Sequence, residues 1–140
     1  MTAVRALVDA WNRLDEEAFV ALCDPDIEFV SILSRVEGHA YHGHEGVRRY
    51  FADIRSLGRN HIELEALVQG DDATVVAREH VTGAGRVSEA SLDIRTGNVF
   101  TFKDGRVVRL LAFMPPERAL DEVGLSDWGD SDVTGGEPRE

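Results

Sequence analysis

The chain has 140 residues, 15 of them Lys or Arg and 26 Asp or Glu, for a formal net charge of −11. That length suits one domain, and an apolar fraction of 43% with a charged fraction of 29% is that of a globule able to bury its own core. The acidity argues against nucleic acid and anionic membrane surfaces as partners, since both are bound through Lys and Arg, and no apolar run approaches the ~20 residues that span a bilayer.

In chain order, Val4, Leu7, Val8, Trp11 and Leu14 recur at spacings of three and four, which predicts a helix from about Thr2 to Leu14 rather than the apolar core of a signal peptide. Asp15 reads as the cap of a short second helix that buries Ala18, Phe19 and Leu22, and Asp24-Pro25-Asp26 stops it. The β-branched and aromatic run Ile27 to Leu33 reads as a strand. Gly38 to Gly46 reads as a loop, and a helix from about Glu45 to Ser56 carries the stripe Val47, Tyr50, Phe51 and Ile54, ending at Leu57-Gly58.

The rest reads as a meander. His61 to Gln69, Ala73 to Thr82 and Arg106 to Met114 are strands, with turns at Gly70 to Asp72 and Gly83 to Gly85. Arg86 to Lys103 is one long strand or two, broken at Thr96-Gly97-Asn98, and Asp104-Gly105 is a tight-turn signal. Glu117 to Val123 is a short helix after Pro115-Pro116. Residues 1–125 thus form one domain, and 126–140, acidic and glycine-rich, read as a disordered tail. Cys23 is the single cysteine, which excludes an internal disulfide and fits a cytoplasmic location.

Helices gathered on one face of an antiparallel sheet make an α+β fold. Four segments, VRALVDAWNRLDEEAFVALCDPDIEFVS, YHGHEGVRRYFADI, FTFKDGRVVRLLAF and ERALDEVGL, give the chain a resemblance to the SnoaL-like branch of the nuclear transport factor 2-like superfamily, over about residues 3 to 125. The resemblance implies a cone-shaped fold, a strongly bent antiparallel sheet whose concave face is covered by the N-terminal helices. It also implies an apolar pocket for a small hydrophobic or polyketide-like molecule and a homodimer through the outer sheet face, where Val99, Thr101, Val108 and Leu110 form a candidate apolar patch. Relatives include isomerases, cyclases, dehydratases, hydrolases and non-catalytic binders or accessory domains, so the fold leaves the chemistry open.

The ketosteroid isomerase base and tyrosine positions fall near Val30 and Leu7, which move no proton, and the strand Arg106 to Met114 lacks an acid for a cyclase. Arg78, Asp93 and Arg95 supply the residue types of an epoxide hydrolase, with no clear common face. Arg78 and His80, two apart on one strand, share a face. If that face is concave, His80 is a candidate general base and Arg78 an anion-stabilising group; if it is outer, they form surface ion pairs.

Trp11, Phe29, Tyr50 and Phe102 are candidate pocket walls as well as core residues. Asn98 is a candidate polar contact or part of a turn, and His42 a candidate at the pocket mouth. His39, His42 and His44 read as a loop before a helix, ahead of a metal site, so no metal or other cofactor is expected.

Overall fold

A computed structural model of the chain describes residues 2–85 and 91–129. Its elements are α1 (Thr2–Asn12), α2 (Glu16–Ala21), β1 (Cys23–Val30), α3 (Ile32–Glu37), β2 (Tyr41–His42), α4 (Gly43–Leu57), β3 (Gly58–Gln69), β4 (Thr74–Gly85), β5 (Ser91–Lys103), β6 (Arg106–Phe113) and α5 (Glu117–Glu122). The architecture is α+β, and among the described residues no helix is long and apolar enough to cross a membrane.

Six strands form one sheet in the order β2-β1-β6-β5-β4-β3. All neighbours pair antiparallel except β1 with β6, which run parallel, so the sheet is mixed rather than wholly antiparallel. The register shifts at Cys23/Glu28, Leu64/Ala66 and Thr101/Phe102. Such irregularities bend strands and curve a sheet around what it covers.

Local chemistry accounts for most boundaries. The Asp15 side chain accepts a hydrogen bond from the Ala18 amide at 3.1 Å and starts α2 as expected. Asp104 and Gly105, with φ of 54° and 79°, form the two-residue hairpin turn between β5 and β6. The strand expected to run to Leu33 instead ends at Val30. Ser31 caps α3, its hydroxyl accepting from the Ser34 amide while the Ser34 hydroxyl accepts from the Ser31 amide, and this reciprocal cap turns Ile32 and Leu33 into a helix.

The turn expected at Gly83 to Gly85 is also absent, and of the two alternatives at Thr96-Gly97-Asn98 the single strand holds. β4 continues through Gly83, where β3 passes so close that a Cβ would sit 2.2 Å from the Arg59 carbonyl oxygen. β5 runs unbroken through Thr96-Gly97-Asn98. Gly97 serves packing there: an added Cβ would lie 2.3 Å from the Pro116 carbonyl oxygen and 2.7 Å from the Ala119 Cβ, so the glycine lets α5 rest on the sheet. Residues 86–90 of the expected long strand lie outside the described residues.

The two sheet faces are covered differently. α1, α2 and α4 pack Leu7, Trp11, Phe19, Val47 and Phe51 onto Ile27, Phe29, Ala77, Phe100 and Leu110, and each fully buried side chain of this kind contributes roughly 1.5–3 kcal/mol. The other face carries a smaller cluster in which Val76, Val99 and Leu111 lie under Ala119 and Leu120 of α5. Val99 is therefore covered, and Leu110 belongs to the helix-covered face, so the expected outer patch of Val99, Thr101, Val108 and Leu110 is not one surface. Leu125 and Trp128 pack against the same smaller cluster; 130–140 lie outside the described residues.

Candidate functional site

The helices do not fill the concave side. Between α1, α3, α4 and the strands lies a cavity of about 190 Å³. Its wall is mostly apolar: Trp11 and Leu7 from α1, Tyr50 and Ile54 from α4, Ile32 and Leu33 from α3, and Phe29, Ile94, Phe100 and Leu110 from the sheet. Trp11 is held in place from β3, its indole N–H donating to the Asn60 side-chain oxygen at 2.7 Å. The Asn12 amide brackets Ile62 with two 2.8 Å bonds, donating to its carbonyl and accepting from its N–H, and so docks the end of α1 on the edge strand.

Strand alternation decides what enters this space. On β4 the odd positions Val75, Ala77, Glu79 and Val81 face the helices, and Glu79 and Val81 line the cavity. On β5 their cross-strand partners Ile94, Thr96, Asn98 and Phe100 line it too. Arg78 and His80, the sequence candidates for catalysis, therefore project from the opposite face, and the expectation that they enter the cavity is corrected. There Arg78 Nε donates to Glu65 Oε1 at 3.3 Å, and Arg95 grips the same carboxylate with two bonds of 2.9 and 3.0 Å. The Arg95 hydrogen bond, with Arg78 in support, holds the Glu65 carboxyl below its ordinary value. His80 Nε2 lies 2.7 Å from Asp93 Oδ1, and the Arg78 guanidinium lies 5.4 Å from the centre of the Trp128 ring. Both residues are parts of an outer ion-pair network.

Of the other candidates, Trp11, Phe29, Tyr50 and Asn98 line the cavity. Phe102 packs against the core cluster without lining the cavity. His42 stands exposed on β2 as the residue preceding α4, clear of the cavity. His39 pairs with Glu37 and His44 with the Cys23 carbonyl, each at or below 2.9 Å, so the histidines point to separate partners, and no metal-binding cluster occurs among the described residues.

The group that sequence reasoning did not single out is Glu79. It is 6% exposed and the only acidic residue among the described cavity residues; no Lys, Arg or His lines the space with it. No described residue hydrogen-bonds to its carboxyl, and burial pushes its pKa up to about 8. Tyr50 is the other ionisable group. Its hydroxyl also makes no hydrogen bond to a described residue, and burial, then Glu79 and Tyr41, raise it above the ordinary phenol value. Beside them the Asn98 amide donates to the Thr96 hydroxyl at 3.0 Å, both residues being buried. A buried carboxyl that titrates near neutrality both gives and takes a proton within the physiological range. A signal for it existed: Glu79 is the one acid in the alternate series Val75, Ala77, Glu79, Val81, otherwise apolar throughout.

The SnoaL-like domain model matches residues 4–110, more than half of the chain. The chain belongs to the SnoaL-like domain family. No curated protein matches it. Among solved structures it is similar to a nuclear transport factor 2-like protein of unknown function from Burkholderia pseudomallei, at TM-score 0.73 and 16% identity over 88% of this chain and 95% of that one. A Catenulispora acidiphila protein of ketosteroid isomerase-like fold, in complex with trimethylamine, superposes at TM-score 0.72 with 14% identity, covering 88% and 92%. A Mycobacterium tuberculosis protein in complex with estradiol-17β-hemisuccinate does so at 0.71 with 14% identity, covering 80% and 90%. At these identities the likeness is one of fold.

Proposed function

We propose that this SnoaL-like protein holds a small hydrophobic, polyketide-like molecule in the cavity and exchanges a proton with it through Glu79, in an isomerisation, cyclisation, dehydration or hydrolysis. One observation carries the reading: a buried carboxyl, without a hydrogen-bond partner among the described residues, opens into an apolar space. Each of those reactions needs one group that donates or accepts a proton where water is excluded. At pH 7 a carboxyl with a pKa of about 8 is mostly protonated, so the resting site presents an acid. Tyr50 supplies a second donor to an oxygen of the ligand, and the aromatic wall holds the ligand's apolar body. That fold neighbours were crystallised with trimethylamine and a steroid ester supports small-molecule occupancy. Action in the cytoplasm and assembly as a homodimer through the outer sheet face belong to the same proposal; with Val99 covered, the area left for that contact is the charged β3–β5 surface.

The alternative is a non-catalytic binder, favoured by the fact that no second carboxyl and no His, Lys or Arg stands beside Glu79 in the described lining. Calorimetric titration of small apolar fragments, repeated in buffers of different ionisation heat, separates the two. The proposal expects the wild-type protein to exchange a proton with a bound fragment at pH 7–8 and Glu79→Gln to bind it without exchange. Equal affinity with no proton exchange in either protein establishes the binder; no binding by either removes both readings.

A further inference from the structure

Glu79 and Thr96 are direct cross-strand partners on β4 and β5 and face the same cavity. Side chains so paired stand about 4.5–5.5 Å apart at Cβ, within reach of a hydrogen bond between a hydroxyl and a carboxylate. Three facts bear on what passes between them. The Thr96 oxygen already accepts from the Asn98 amide at 3.0 Å, so its own proton is directed elsewhere. The Asn98 bond is the only one the Thr96 side chain makes among the described residues, and burial alone, with no hydrogen-bond donor, acts on the Glu79 carboxyl. Thr96 and Asn98, at 5% and 6% exposure, are as buried as Glu79 itself.

We propose that Thr96, with its oxygen held by Asn98, is the positioning residue that donates a hydrogen bond to the Glu79 carboxylate once Glu79 has passed its proton to the ligand. The inference rests on the reading of Glu79 as the proton-exchanging group. In the step itself the Glu79 O–H bond breaks as a bond from the same proton to the ligand forms, and Glu79 takes a proton back, from the ligand or from solvent, before the next cycle. The Thr96 O–H bond stays intact and only reorients. A neutral carboxylic acid has little need of this donor, whereas a buried carboxylate in a mostly apolar cavity is costly without one. The Asn98 amide polarises the hydroxyl in the direction that strengthens the donation. The other ionisable group facing Glu79 is Tyr50 on α4; the described residues of α1–α3, β1, β3, β5 and β6 that line the cavity are uncharged. Glu65, Arg78, His80 and Arg95 meet one another on the far side of the sheet.

The test follows the Glu79 side-chain carboxyl of the full chain by carbon NMR between pH 4 and 10. Thr96→Val, which keeps the shape and removes the hydroxyl, is expected to raise the midpoint by about one pH unit, a tenfold fall in the ionisation constant. Thr96→Ser, which keeps the hydroxyl, is expected to stay within a few tenths of wild type, and Asn98→Ala to rise by less than Thr96→Val. If Thr96→Val does not fold, Thr96→Ala carries the same comparison. An unmoved midpoint in the hydroxyl-free variant overturns the inference and leaves the proposed function standing. An equal rise in Thr96→Ser overturns it as well, since packing and not the hydroxyl is then responsible. A wild-type midpoint in the ordinary carboxylate range overturns both.

Discussion

Replacing Glu79 by Gln is expected to make the protein more stable, by an amount that depends on pH. The folded carboxyl titrates at about 8 and the ordinary value is 4.5, so the folded state holds the proton more tightly than the unfolded chain. Below pH 4.5 both states are protonated and Glu79 costs nothing. As pH rises from 4.5 to 8 the unfolded chain gains by ionising while the folded one does not, and stability falls by about 1.4 kcal/mol per pH unit. At pH 7 the cost is on the order of 3 kcal/mol, reaching about 5 above pH 8. Gln is neutral throughout and escapes it. Urea unfolding of both proteins at pH 5, 6, 7 and 8 gives the difference directly, because the other titrating groups are common to the pair. Glu79→Gln should exceed wild type by roughly 3 kcal/mol at pH 7, about 10 °C in Tm for a domain of this size, and by only about 0.8 kcal/mol at pH 5. A difference that is flat with pH, or wild type the more stable at pH 8, would refute the argument that Glu79 is held as an acid by burial.

Three further outcomes follow from the packing. Gly97→Ala drives a methyl into the Pro116 carbonyl and Ala119 and should cost about 1–3 kcal/mol, with hydrogen exchange showing α5 loosened before the rest of the sheet. Ser31→Ala removes the hydroxyl that caps α3 and should cost about 1 kcal/mol in urea unfolding; because Ile32 and Leu33 line the cavity, it should also weaken fragment binding. Arg78→Ala and His80→Ala remove members of a partly exposed network, so each should cost no more than about 1 kcal/mol and leave fragment affinity in the cavity unchanged. A large loss of affinity in either would reinstate the sequence-based site.

Much of the architecture was legible where local chemistry decides it. The stripe of Val4, Leu7, Val8 and Trp11 has only one way to be buried, as a helix against a core. The Asp15 cap and the Asp104-Gly105 turn are written in residues that satisfy or permit a specific backbone geometry. Misreadings came where two local rules compete. Ile32 and Leu33 extend a β-branched run, yet the reciprocal bonds of Ser31 and Ser34 favour a helix there. The Gly83 and Gly97 positions resemble turns, yet each is a glycine because a neighbouring backbone or helix approaches too closely for a side chain.

What the sequence determined by itself is therefore the set of elements, their order, and the two alternating series along β4: Val76, Arg78, His80 on one side and Val75, Ala77, Glu79 on the other. It did not determine which series faces inward, because a period of two is unchanged when the faces are exchanged. Only the tertiary structure decided that, through the landing of α1, α2 and α4 on the face that carries Glu79 and of α5 on the face that carries Arg78. The same event created the chemistry: a glutamate that would be an ordinary anion in water becomes an acid near neutrality once helices exclude the solvent that would stabilise its charge.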